Sequence, residues 1–397
     1  MKSVDDRSRG LPVALALVVL LVAYGSLFPF QWNFNAPQAF IWSGRIGLVD
    51  LIENIALFVP LGGLLGWAGQ GRPRKWVFFA AWLVAAIVLA SALQWLQKFL
   101  PRTPALSDVI FNMAGYALGW GAGFAARWRV GHLLNRHQGW ADADQFTLVL
   151  IALWWVAELY PLIPTLDVSS VAQNVKSLWQ QDLWQPRRML LHVGIAVIGL
   201  SAIAHLARTA HLAHRTHTLA LLATLAVLAG KFVVVGQSPG MAVVLGIGGG
   251  WLLWRWLDTW APGARWAATA WVALATYLLD AIWPWAWRTP PADMEWMPFA
   301  STLSTWVQSA ITARAFECLC FGAVLWSTVR NGALLVGMTI STAVLALACE
   351  WTQRYLPTRT AEITSVLLAI GMGWLLSVCT AARRPRQVGA WAPQRAN

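Results

Sequence analysis

Charge is scarce in this chain. Asp, Glu, Lys and Arg make up 12% of its 397 residues, whereas apolar residues make up 58%. Soluble domains carry about 25% charge, so composition excludes an ordinary globular domain. The long apolar stretches predict a polytopic helical membrane protein. Alternating strand patterning is also missing, which excludes an outer-membrane type of barrel. Cysteine is limited to Cys318, Cys320, Cys349 and Cys379, all in apolar runs of the last third. They read as buried small hydrophobes, with no disulfide framework. Cys318 and Cys320 point to different faces of a helix and cannot readily share a metal. Acid is scarcer than base, 17 residues against 29, for a net charge of +12. The basic residues fill the gaps between apolar runs, which is membrane topology and not a phosphate-tracking stripe. No metal, no cofactor and no nucleic-acid partner is expected.

What the chain has is tryptophan, 28 in all, fitting aromatics set largely at a bilayer interface. It also has one pattern three times over. Leu27-Phe28-Pro29-Phe30, Leu159-Tyr160-Pro161-Leu162 and Ile282-Trp283-Pro284-Trp285 each close an apolar run and divide the chain into thirds. A period this long predicts duplicated domains and not a solenoid. Residues 11–28 resemble a signal-peptide core, but a cleaved peptide would not be echoed twice further on.

The apolar runs predict twelve spans, near 11–28, 48–68, 77–98, 106–126, 145–162, 188–206, 217–235, 239–257, 266–284, 311–328, 331–349 and 360–380. The fold class expected is therefore all-α, a transmembrane bundle of three parallel four-helix repeats: 1–130, a degenerate 131–260, and 261–397 with a basic tail. Placing both termini in the cytoplasm puts most Lys and Arg inside. The Pro motifs then lie at the outer surface, each leading into a long connection (29–47, 163–187, 285–310) set in the headgroup layer. Lys231 and Arg314, near span ends, are expected to snorkel. Glu158 and Asp280, just before two Pro motifs, are expected near the interface. His205, His211, His214 and His217 read as a basic inner connection touching anionic lipid.

The first third is richest in polar residues at membrane depth. Its second span carries Asp50, Glu53 and Asn54, its third Gln94 and Gln97, and its fourth Asp108 and Asn112. Asp50 and Asn54 share a helix face, as do Asp108 and Asn112. In the last third, Glu350-Trp351-Thr352-Gln353-Arg354-Tyr355-Leu356-Pro357 aligns without a gap on Gln94-Trp95-Leu96-Gln97-Lys98-Phe99-Leu100-Pro101. Extended further, that alignment puts Gly371 at Gly115, Thr364 at Asp108 and Leu368 at Asn112, while Glu317 stands for Asn54. In the middle third His192 stands for Asn54, and Gln237-Ser238-Pro239-Gly240 for the turn at Pro101. Gly115-x-x-x-Gly119 and Gly246-x-Gly248-Gly249-Gly250 read as helix-packing seams, since no strand precedes them.

From Tyr24 to Trp120 the chain resembles the VanZ-like membrane family, named for a teicoplanin-resistance accessory protein. The resemblance rests on Leu27-Phe28-Pro29-Phe30, Asn54-Ile55-Ala56-Leu57-Phe58-Val59-Pro60-Leu61-Gly62, Gln97, Pro101-Arg102 and Ser107-Asp108-Val109-Ile110-Phe111-Asn112-Met113-Ala114-Gly115. One family position is Glu and stands here as Gln94; Glu350 restores it in the last third. The resemblance implies an integral protein of the cell envelope, multi-pass in a bacterial inner membrane, and no settled reaction.

Buried ionisable groups cost roughly 2.5–3.5 kcal/mol on insertion scales, so they face the bundle interior and mark function by default. Asp50, Asn54, Gln94, Gln97, Arg102, Asp108 and Asn112 are the expected ligand-binding set, with Arg102 pairing Asp108 or Asp50 or holding an anionic headgroup. Glu317, Glu350, Gln353 and Arg359 are secondary candidates. An equal reading has these groups satisfy one another and merely pin helix register. The first functional expectation is a non-enzymatic protein binding membrane lipid, in particular an anionic lipid or a lipid-linked cell-wall or polysaccharide precursor. It is linked by resemblance to glycopeptide and envelope-stress resistance. An enzyme acting on a lipid headgroup, with Asp50 or Asp108 as general base, ranks below it because no catalytic constellation supports it. A transporter is the third reading.

Overall fold

The structure, a computed structural model, describes residues 15–16, 18–20, 22–27, 30–42, 48–70, 72–101, 103–136, 145–162, 168–180, 185–234, 236–237, 239–304 and 307–381. Every regular element among them is helical, and the only β pairing there is two isolated bridges. The chain divides into two compact units, Met1–Gln138 and Gly139–Asn397.

In the first unit α1 (Val18–Leu27), α2 (Leu48–Gly69), α3 (Lys75–Gln97) and α4 (Leu106–Arg136) pack around Val22, Phe58, Leu61, Leu65, Leu93, Tyr116 and Trp120. The tightest crossing is α2 on α4. A β-carbon added at Gly119 would stand 2.2 Å from the Val59 carbonyl oxygen, and one at Gly115 2.1 Å from that of Ile55. Only glycine lets the two backbones meet so closely, as in small-residue membrane crossings.

The second unit contains α5 (Gln145–Leu159), α6 (Val168–Gln180), α7 (Pro186–Thr209), α8 (Thr216–Val233), α9 (Met241–Leu257), α10 (Pro262–Ala281), α11 (Ala300–Ser304), α12 (Val307–Arg330), α13 (Leu335–Gln353) and α14 (Thr364–Ala381). Pro186 and Pro262 sit at the starts of α7 and α10, where a missing N–H costs nothing. Helix α12 ends on Gly332 in the left-handed region (φ +95°), with Ala333 N–H donating to Thr328 O (3.0 Å) and Gly332 N–H to Val329 O (3.1 Å). That double bond closes the helix's last carbonyls. Helix α12 packs on α5, α7, α10, α13 and α14, burying Leu319, Phe321, Leu325 and Trp326. Its middle, residues 319–326, is apolar on every side, as suits such a centre. Trp154 and Trp326 are fully buried, so tryptophan here builds core as well as surface.

Among the described residues six helical segments are long and apolar enough to cross a membrane: Lys75–Gln97, Leu106–Arg127, Pro186–Thr209, Ala213–Val233, Gln308–Arg330 and Leu335–Gln353. Within them Thr224, Thr328, Thr339 and Thr342 each donate the hydroxyl to the carbonyl one turn earlier. That satisfies a polar group where water is absent. Outward faces carry Val84, Val88, Leu118, Leu222, Ile340 and Val344, exposed as lipid-facing side chains are.

Candidate functional site

In the first unit the polar residues gather where α1 ends and α4 begins. Gln94 is buried at the end of α3, donates Nε2 to Asp108 Oδ2 (3.2 Å) and accepts the Ala105 N–H on Oε1 (3.0 Å). It therefore ties the α3–α4 turn to the first turn of α4. Gln97 reaches the other way, donating to the Ser26 carbonyl on α1 (2.8 Å). Asn112 lies one turn below Asp108 on the same face, 3% exposed, and its Oδ1 has no partner. Asn54 is half-buried on α2. Asp50 lies on α2 but its side chain is outside the described residues, as are Arg102 and the side chain of Glu53. The structure thus brings together Gln94, Asp108 and Asn112, and directs Gln97 to α1.

The connection after α1 is an extended strap across this end. Asn33 N–H donates to Phe99 O (2.7 Å), Gln38 N–H to Lys98 O (2.6 Å) and Ile41 N–H to Pro104 O (2.9 Å). Another strap follows α10 in the second unit: Arg288 N–H to Tyr355 O (2.7 Å), Ala292 N–H to Arg354 O (2.8 Å) and Glu295 N–H to Ala361 O (2.9 Å). The parallel bridges Ile41–Ala105 and Glu295–Glu362 close the two straps alike.

Residues 13–127 match the VanZ/LLP1 family model. This VanZ/LLP1 segment falls within the first unit and holds Gln94, Asp108 and Asn112. Comparison with curated proteins and with solved structures gave no match for the chain. Apolar helices together with a VanZ/LLP1 segment fit a membrane protein of the VanZ type.

The straps keep the gapless match of residues 94–101 on 350–357 and correct its extension beyond the turn. Ala105 N–H donates to Gln94, and Glu362 N–H donates to Glu350 Oε2 (2.8 Å), so the α13–α14 turn is one residue longer than its α3–α4 counterpart. Ser365, not Thr364, therefore stands where Asp108 does, and its Oγ contacts Glu350 Oε1. The carboxylate has changed sides: Gln94 faces Asp108, while Glu350 faces Ser365. Glu317 on α12 joins the row, accepting from Arg314 Nη1 (2.9 Å) with Ser365 Oγ at 3.2 Å. Gln353 is buried at the end of α13. Arg359 binds Asp280 through carboxylate and carbonyl, and Arg187 Nη2 lies 2.5 Å from the same carboxylate oxygen. Sequence reasoning missed Ser365, Glu362 and Tyr277 because one inserted residue hides the first two and an apolar run hides the third.

Register also changes in the middle helices. Gly246 meets Met189 O and Gly250 meets Val193 O, as Gly115 meets Ile55 and Gly119 meets Val59. That spacing aligns Arg188 with Asn54 and puts His192 at Phe58. His192 instead binds Glu158 (Nδ1 to Oε1, 3.1 Å), whose Oε2 lies 2.9 Å from Lys231 Nζ. Glu158 and Lys231 are 1% and 6% exposed, so Lys231 turns inward to its partner and does not snorkel. Each supplies the other's countercharge, which is what permits burial. His205 likewise leaves the expected basic connection: it is buried with its ring 5.4 Å from both Trp266 and Trp326. At that end Arg208 and Arg265 share Asp258.

Proposed function

We propose that this protein binds the head group of an anionic lipid, or of a lipid-linked glycan precursor, at the Pro-motif end of its VanZ/LLP1 segment. The reading places the chain in a bacterial inner membrane, both termini cytoplasmic, with a part in glycopeptide or envelope-stress resistance. In this reading α1–α5, α7–α10 and α12–α14 cross in three parallel sets of four, 1–130, 131–260 and 261–397. Three likenesses support the sets. The second helix of each packs on the fourth, the glycine crossings of α2–α4 and α7–α9 share a register, and the straps after α1 and α10 bond alike.

The observation that carries the ligand reading is the buried Asn112 oxygen without a partner, one turn below the Gln94–Asp108 pair. A buried acceptor left open costs about 1–3 kcal/mol. A glycerol or sugar hydroxyl would fill it, with Asp108 above as a second acceptor. Arg102 stands in the same connection in the sequence and supplies the charge for a phosphate.

Native mass spectrometry of the full chain, released from nanodiscs of mixed phosphatidylglycerol and phosphatidylcholine, tests this. Asn112→Leu and Arg102→Ala should each cut retained phosphatidylglycerol about tenfold, equivalent to roughly 1.4 kcal/mol. Unchanged retention in folded variants would sink the lipid site and leave the cluster as packing.

A further inference from the structure

A row of side chains in the second unit carries more negative charge than its neighbours answer. Glu317 Oε2 accepts from Arg314 (2.9 Å), and Glu350 Oε2 accepts from the Glu362 N–H (2.8 Å). Ser365 Oγ lies between the two carboxylates, 3.2 Å from Glu317 Oε2 and in contact with Glu350 Oε1. A hydroxyl has one hydrogen to donate. It can serve one of these oxygens, and the other contact is then oxygen against oxygen.

The formal charges agree. Arg314 is in ion-pair contact with this row, while Arg187 and Arg359 pair with Asp280. Glu362 adds a third carboxylate, held by the hydroxyls of Ser301 and Thr364. In a helical interior such an excess is costly unless something positive joins it.

A second, independent observation comes from α10. Tyr277 is 4% exposed, its ring packs on Phe321 one turn from Glu317 (centroids 4.7 Å), and its hydroxyl meets no oxygen or nitrogen partner, only the Cys349 thiol, a weak acceptor. The acidic groups it interacts with electrostatically are Cys349 first, then Glu317 and Glu350. Buried phenols ordinarily find a partner. This one has only the thiol of Cys349, the residue beside Glu350.

We propose that Glu317, Glu350, Ser365 and Tyr277 form a site for one small monovalent cation, a proton or a sodium ion. A proton on Glu350 Oε1 donates to Ser365 Oγ, whose own hydrogen then turns to Glu317, and every short contact becomes a hydrogen bond. A sodium ion would instead take oxygens from both carboxylates and both hydroxyls, the ligands a hard cation prefers. The first unit needs neither, because the Gln94 amide brings its own hydrogen to Asp108.

The groups facing the row are Tyr277 and Asp280 from α10, Arg314, Glu317, Cys318 and Cys320 from α12, Cys349 and Glu350 from α13. From α14 and the turn before it come Arg359, Glu362 and Ser365. Helix α5 has Glu158 as its one ionisable group, already held by Lys231 and His192, and α7 sends Arg187 to Asp280. The inference does not rest on the lipid reading, which concerns the other unit.

The experiment uses the purified full chain in nanodiscs. Thermal unfolding is compared in sodium and choline chloride at equal ionic strength, and infrared difference spectra follow the carbonyl stretch of a protonated carboxyl. A sodium site gives a sodium-specific rise in Tm that disappears in Glu350→Gln and Tyr277→Phe. A proton site gives a protonated-carboxyl band that disappears in Glu350→Gln and ignores sodium. Gln94→Ala and Asn112→Leu should alter neither signal. If Glu350→Gln fails to assemble, Ser365→Ala is the smaller change and must also abolish the signal. Wild-type protein with neither signal, or a signal unchanged in these variants, overturns the proposal.

Discussion

The two units build the same corner from different chemistry. In the first, an amide faces a carboxylate, Gln94 to Asp108; in the second, a carboxylate faces a hydroxyl, Glu350 to Ser365. Both secure the N–H at the same place in the turn, Ala105 or Glu362. The backbone need is therefore constant and the proton count is not. An amide arrives with hydrogens of its own. A glutamate at that position must take its hydrogen from a neighbour, and Glu317 competes for the same one. The second unit also buries the ion pair Glu158–Lys231, a kind of contact for which the first shows no equivalent among its described residues.

The largest effect should come from that ion pair. Glu158→Leu strands Lys231 and His192 in the core and should cost about 3–5 kcal/mol in reversible unfolding, while Glu158→Leu with Lys231→Met should restore most of the loss. If the double variant is no better than the single one, the pair is not what sets the second unit apart. Next are the glycine crossings. Gly119→Leu and Gly250→Leu should each lose about 1–3 kcal/mol or more by overpacking. The first should lose more, because its β-carbon would stand 2.2 Å from a backbone oxygen whereas the nearest atom at Gly250 is the Ala196 side chain at 2.6 Å.

Smaller still is the corner itself. Gln94→Ala removes the donor to Asp108 and the acceptor for Ala105, at about 1–3 kcal/mol. Gln94→Glu combined with Asp108→Ser imports the arrangement of the second unit and should cost less than Gln94→Ala in a double-mutant cycle. A swap more damaging than the deletion would show that the corners are not interchangeable. The smallest change in stability is expected for Asn112→Leu, within about 1 kcal/mol, since it removes an acceptor that has no protein partner. Its effect should fall on lipid retention alone.

Much of the fold was legible. Apolar runs located the helices because a chain in hydrocarbon must satisfy its backbone within each segment. Gly115, Gly119, Gly246 and Gly250 read as crossings because their spacing puts them on one helix face, and that is where they pack. Gln94, Asp108 and Asn112 could be grouped because two share a helix face and the third closes a short turn. Glu158, His192 and Lys231 could not, since nothing local records that the end of α5 meets the start of α7 and the end of α8. Ser365 stayed hidden behind one extra residue in a turn, and His205 behind basic neighbours that suggested a solvated loop.

The sequence by itself determined that this is a helical membrane protein with a VanZ-type first third, because hydrophobic run length and sparse charge are properties of single segments. Only the tertiary structure decided which buried polar group answers which. A buried charge or hydroxyl takes its energy from the atom across the helix interface, and that partner is chosen by packing register. One residue more in a turn, or one glycine crossing, is enough to change it.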